Sequence, residues 1–229
     1  MGQARYEKSV FNRWTWVYAV VCFLEIFAEI LLEFDNEFGY QLRLLTKPLV
    51  MPVLAMGFYK SLVPNFQSAD WSLLAGLLLS WAGDVLLMPP FRIFALGLFA
   101  FLMAHIAYSH AFFKSMPKIS WNSLHFLPGV ILFLIAVYTI VPHVIDIKIP
   151  VISYVLVISI MFSMALVHHL NYSFLSGLLG AFFFVVSDYI LAWALFVNSF
   201  AWSRLFVMGF YLLAQWLIVR GVLTTKYSN

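Results

Sequence analysis

Asp84, in the run LLLSWAGDVLLM, and Asp188, in FFFVVSDYILAW, are carboxylates inside stretches that otherwise read as membrane-spanning helices. A carboxylate at bilayer depth costs about 2.5–3.5 kcal/mol even on the mildest scale, so such residues usually face an internal cavity and act there. Each is preceded by a small residue, Gly83 or Ser187, and followed at the third position by a leucine, Leu87 or Leu191. Two carboxyl groups in one low-dielectric pocket favour a state with a single proton between them, an acid beside an ionised base. That pairing serves hydrolysis through an oxocarbenium-like transition state. The competing use of each Asp is structural, a crosslink to Ser, Tyr or backbone on a neighbouring helix.

Other polar residues lie within reach of such a cavity. Glu25 and Glu29 are spaced i, i+4 and share one helix face. Glu29 is assigned to the cavity wall, Glu25 stays open between wall and packing, and Glu33 joins Asp35 and Glu37 as a solvated loop end. His105 and Tyr108 stand one turn apart in FLMAHIAYSHAF, while His110 lies nearer the membrane edge. Tyr211 and Gln215 occupy the last apolar stretch. Lys47 stands at the mouth of its span, where it could meet a phosphate as a point charge or snorkel to the interface. No metal is expected, because helical zinc ligation wants His at i, i+3 or i, i+4, whereas His105 and His110 are five apart and His168 and His169 adjacent. No Gly-rich phosphate loop, G-x-S-x-G elbow or cofactor motif is present.

The elements that must position these residues are helices in a bilayer. The chain is 64% hydrophobic and 10% charged, against roughly 25% charged for a soluble domain, so water is not its main solvent. The formal charge of +3 gives no basis for a nucleic-acid partner. Cys22 alone can form neither an internal disulfide nor a zinc site. The first apolar run has full span length and lacks a small-residue cleavage site, so a cleavable signal peptide is not expected.

A helix needs about 20 apolar residues to cross the hydrocarbon. Eight stretches qualify: 14–33, 47–63, 71–89, 92–113, 123–141, 149–168, 175–197 and 201–223. The second is the weakest, because Pro52 is expected to kink it or force a late start, whereas Pro48 fits a first turn. Pro89-Pro90, Lys114 to Lys118 and Asn198 to Phe200 supply turns. The expected architecture is an all-α polytopic bundle of about eight transmembrane helices, one integral membrane domain over residues 1–229. The third and seventh spans share Asp-x-x-Leu, which raises a four-plus-four repeat.

Basic residues orient the chain. With the N-terminus cytoplasmic, Arg5, Lys8, Arg13, Lys60, Lys114, Lys118, Arg220 and Lys226 lie inside, against Arg43, Lys47, Arg92, Lys148 and Arg204 outside. Both termini are therefore expected on the cytoplasmic side. Asp84 and Asp188 then fall in the same half of the membrane.

In chain order, Lys47-Pro48-Leu49, Gly83-Asp84-x-x-Leu87, Ala104-His105-x-x-Tyr108, Gly180-x-x-x-Phe184-x-x-Ser187-Asp188-x-x-Leu191-Ala192-x-x-x-Phe196 and Tyr211-x-x-Ala214-Gln215 resemble the YhhN family. The resemblance implies a lysoplasmalogenase, a multi-pass hydrolase that cleaves a vinyl-ether lysophospholipid to a fatty aldehyde and glycerophosphoethanolamine or glycerophosphocholine without a cofactor. Such a protein would sit in a bacterial inner membrane or the endoplasmic reticulum, with membrane lipids around it. Asp84 and Asp188 would then be the acid/base pair, and His105, Tyr108, Ser187, Tyr211 and Gln215 would orient them or the substrate. Lys47 would hold the phosphate and Glu29 would line the cavity. Where relatives are expected to carry Asn-Lys before the closing Phe, this chain has Ala194-Leu195, which bears on headgroup preference. A proton-coupled transporter and a non-enzymatic lipid-binding protein stay open as alternatives.

Overall fold

The computed structural model describes residues 2–63, 65–116, 122–172 and 174–228. Lys118, expected as turn material and as an inner-side charge, lies outside the described residues. Every regular element among the described residues is helical. The chain forms α1 (Gly2–Glu33), α2 (Glu37–Leu62), α3 (Ser68–Leu87), α4 (Phe94–Lys114), α5 (Leu127–Thr139), α6 (Lys148–Tyr172), α7 (Leu175–Ala192) and α8 (Ser203–Ser228). Short 3₁₀ turns at Ser123–Phe126 and Val141–His143 flank α5, and a π turn at Trp193–Val197 ends α7. Among the described residues eight segments are long and apolar enough to cross a membrane, and all eight expected spans have a counterpart among them. The protein is a polytopic membrane bundle.

The second span departs from expectation. It begins at Glu37, ten residues before the expected start, and runs through both Pro48 and Pro52. Two local features explain it. At the end of α1, Asp35 takes a left-handed φ of 53°. The N–H of Asn36 then bonds Leu31 O at 3.2 Å and that of Asp35 bonds Leu32 O at 3.2 Å. This is the double hydrogen bond of a Schellman turn, made with Asp where Gly is commoner. Asn36 at once caps α2, its side chain accepting the N–H of Gly39 at 3.3 Å. α2 therefore starts where the α1 turn leaves it.

Pro52 is tolerated because its lost bond is replaced. Pro52 has no N–H to give the carbonyl four residues back, which is that of Pro48. Trp81 of α3 supplies the donor instead, its indole N–H reaching Pro48 O at 2.9 Å. In hydrocarbon an unsatisfied carbonyl costs several kcal/mol, so such replacement decides whether a proline can stay.

The described chain divides into two compact units, Met1–Ala107 and Tyr108–Asn229, with the boundary inside α4. In the first unit α1 packs on α2 and α2 on α3. A Cβ on Gly39 would stand 2.6 Å from Leu31 Cβ, so the α1–α2 approach needs glycine there. In the second unit α5 packs on α6, α6 on α7 and α7 on α8. A Cβ on Gly180 would come within 2.7 Å of the Ile218 backbone nitrogen. These close pairs fix the faces that carry the polar residues.

Trp81→Phe keeps the ring and removes the donor to Pro48. The expected outcome is a lower Tm in detergent, corresponding to about 1–3 kcal/mol for an orphaned carbonyl. An unchanged Tm would show that the indole bond does not hold α2 in place.

Candidate functional site

In the first unit the polar residues come from three adjacent helices. Glu25 and Glu29 project from α1, Arg43, Thr46 and Lys47 from α2, and Asp84 from α3. Arg43 and Lys47 are spaced i, i+4, as are Glu25 and Glu29, so each helix presents its pair on one face. The α1–α2 hairpin sets the register between them.

Arg43 Nε stands 2.9 Å from Glu29 Oε1. The N–H is not aimed at the oxygen, and neither Glu29 oxygen has a hydrogen-bond partner among the described residues. The contact is an ion pair held by charge and proximity. Glu29 is 1% exposed, so its remaining lone pairs call for a donor such as water or a ligand hydroxyl. Thr46 Oγ1 donates to Glu25 Oε2 at 2.5 Å. Glu25 is thereby engaged in packing across α1 and α2.

Lys47 Nζ lies 3.9 Å from Asp84 Oδ1. This is a charge pair beyond hydrogen-bond range, which leaves a third group room to bridge it. Both residues are buried. The early start of α2 also corrects the position expected for Lys47. It sits ten residues into the helix, about 15 Å along the axis, not at the mouth of the span. Its four-carbon stem and ammonium point into protein, facing a carboxylate. His105 is fully buried on α4 in this unit.

The second unit holds the other candidates. Tyr154 of α6 donates its hydroxyl proton to Asp188 Oδ2 on α7 at 2.5 Å. The neighbouring Ser187 donates to Val207 O on α8 at 2.9 Å, which ties the residue before Asp188 to the next helix. Tyr108 donates to Gln215 Oε1 at 2.8 Å. Its ring lies 6.3 Å from that of Phe184, which meets the Tyr211 ring edge-on at 5.4 Å. Gln215 is fully buried, and its Nε2 has no hydrogen-bond partner among the described residues. An amide whose oxygen is held by Tyr108 has its two N–H groups to offer a ligand oxygen.

The structure therefore brings Lys47 to Asp84 in one unit, and Tyr108, Tyr211 and Gln215 together in the other. Ser187 acts on helix packing through Val207. Among the described residues no group of three or more His, Cys, Asp and Glu is arranged to hold a metal ion. Arg43, Thr46 and Tyr154 were not singled out from sequence. Arg43 counted only as an outer basic residue, although its i, i+4 relation to Lys47 becomes visible once α2 starts at Glu37. Tyr154 has no local signal at all, because its role depends on α6 lying against α7.

A helical membrane protein whose carboxylates meet cations or hydroxyls on neighbouring helices is the class that the fold and these residues define. The chain belongs to the YhhN family, whose family model matches residues 42–222. That range contains Arg43, Lys47, Asp84, Tyr154 and Asp188 and begins after Glu25 and Glu29. The chain is also similar to lysoplasmalogenase TMEM86B of Mus musculus, with 29% identity over 186 residues, covering 75% of this chain and 72% of the relative. No solved structure matches it.

Arg43→Leu leaves the Glu29 carboxylate buried without its cation. It is expected to destabilise the purified protein by about 3 kcal/mol, and the Arg43→Leu/Glu29→Leu double variant to recover much of that loss. Thermal unfolding in one detergent reads both; a double variant as unstable as the single one would contradict the pairing.

Proposed function

We propose that this protein hydrolyses the vinyl-ether bond of a lysoplasmalogen, releasing a fatty aldehyde and a glycerophospho-ethanolamine or glycerophosphocholine. The observation that carries the reading is Lys47 beside Asp84, a cation and a carboxylate at 3.9 Å with no direct hydrogen bond. Membership of the YhhN family and the likeness to a protein named lysoplasmalogenase support it. A phosphate drawn in to Lys47 accepts from the ammonium. Only the glycerol backbone separates that phosphate from the vinyl ether, so the reacting bond comes to lie near Asp84.

The chemistry needs an acid, a base and little water. One aspartic acid gives its proton to the β-carbon of the enol ether, and the π electrons form the new C–H bond. Positive charge then rests on the carbon attached to oxygen. The second aspartate, ionised, stabilises that oxocarbenium ion by its charge, which counts for more in a low-dielectric surrounding than in water. As water adds to the cation, the same carboxylate takes its proton. The hemiacetal then collapses to the aldehyde: the second carboxyl group returns its proton to the departing alcohol oxygen and the first takes the proton of the hemiacetal hydroxyl, so both regain their starting forms. Asp84 and Asp188 are the two groups.

The remaining residues bind and orient. Lys47 holds the phosphate, and Glu29 lines the polar wall with Arg43 beside it. Gln215, set by Tyr108, offers its amide N–H groups to a substrate or water oxygen. His105, Tyr211 and Ser187 support this arrangement. The aliphatic chain is accommodated among the apolar side chains of the spans.

Purified protein in detergent, assayed with EDTA present, is expected to release aldehyde from a lysoplasmalogen. Asp84→Asn and Asp188→Asn are each expected to lose at least about 100-fold in kcat, the lower bound for removing a general acid or base, while melting close to wild type. Wild type that releases no aldehyde from any vinyl-ether lysophospholipid would remove the hydrolase reading.

A further inference from the structure

Tyr154 bonds the Asp188 carboxyl group from a different helix. α6 ends at Tyr172 and α7 begins at Leu175, so the two run antiparallel as neighbours and the early turns of α6 face the late turns of α7. Tyr154 lies six residues into α6 and Asp188 thirteen into α7. The phenol reaches across and gives its proton to Oδ2 at 2.5 Å, the short end of the range for O–H···O bonds.

We propose that Tyr154 is a positioning residue for the reaction, fixing the plane of the Asp188 carboxyl group so that proton transfer occurs along one direction. The inference rests on the hydrolase reading given above. The torsion about the Cβ–Cγ bond of an aspartate is broad and roughly two-fold, so an unrestrained carboxyl group swings. Rotation carries both oxygens by an ångström or more. Protonation of a carbon–carbon double bond needs the donor over the π face, and a misplacement of about 1 Å can cost roughly 100-fold. A water could supply the same hydrogen bond in a soluble site. A rigid phenol anchored in a neighbouring helix does so without admitting more water, which would otherwise compete for the cation.

Ser187 strengthens the case from the other side. Its hydroxyl holds the α7 backbone beside Asp188 to Val207 of α8. The aspartate is thus restrained at its backbone through α8 and at its carboxyl through α6. Tyr189 provides the comparison: its hydroxyl donates to Thr139 Oγ1 at 3.1 Å, a tie between α7 and α5 that does not involve Asp188.

The test is steady-state kinetics of Tyr154→Phe, Tyr189→Phe, Asp188→Asn and Tyr154→Phe/Asp188→Asn, in one detergent with one lysoplasmalogen. Tyr154→Phe is expected to lower kcat by roughly 10- to 100-fold with KM unchanged, while Tyr189→Phe keeps wild-type kcat. In the Asp188→Asn background the Tyr154 change should cost nothing further, because residues acting as a unit are non-additive. A readout independent of turnover is the Asp188 carboxyl band, isolated as the infrared difference between wild type and Asp188→Asn. Its counterpart, Tyr154→Phe minus the double variant, should appear at a shifted frequency. Wild-type kcat in Tyr154→Phe, a rise in KM alone, or an unshifted band would overturn the positioning role and leave the hydrolase reading standing. Loss of aldehyde release in the wild type itself would overturn both.

Discussion

A charge in hydrocarbon must find its partner inside the protein, because lipid offers none. A lone carboxylate or ammonium at bilayer depth costs several kcal/mol, and even a paired one repays desolvation only when the geometry is good. The arrangement of this protein follows from that constraint. Glu29 faces Arg43, Glu25 takes the Thr46 hydroxyl, Asp84 faces Lys47 and Asp188 takes the Tyr154 hydroxyl. Every one of these pairs joins two helices adjacent in the chain. Hairpins between neighbouring spans are the cheapest way to bring a partner to a fixed depth, since a short turn sets the register once.

The α1–α2 hairpin shows how much rides on such a turn. Asp35 in a left-handed conformation and Asn36 as a cap reverse the chain without spending residues on a loop. The consequence is that Arg43 reaches Glu29 and that Lys47 sits deep enough to face Asp84. A helix starting at residue 47 would have put Lys47 at the surface and left Arg43 in a loop. The Trp81 bond to Pro48 belongs to the same chain of causes, because it lets α2 continue past Pro52 and so keeps Lys47 within a rigid element.

Much of this was legible from the residues. Hydropathy located all eight spans, because lipid imposes length and apolarity on a crossing helix. Asp84, Asp188 and Lys47 stood out as ionisable groups in or beside apolar runs. The start of α2 was not legible, since Pro48 and Pro52 carry a strong local penalty and the donor that offsets it comes from α3. Tyr154 was illegible for a similar reason. A tyrosine in an apolar helix carries no period or spacing that reveals its partner, and its meaning appears only when α6 lies against α7. Glu25 engages the Thr46 hydroxyl, while Glu29 faces Arg43 and its oxygens have no hydrogen-bond partner among the described residues.

The functional account turns on where the proton goes, and isotope labelling reads that directly. Turnover of a lysoplasmalogen in deuterium oxide, with the aldehyde trapped by reduction as it forms, is the measurement of choice. Protonation of the β-carbon by a carboxylic acid in exchange with solvent places one deuterium on the carbon next to the aldehyde, read by mass spectrometry. An unlabelled carbon at that position would mean that the bond breaks without carbon protonation, and the paired-carboxylate mechanism would be contradicted.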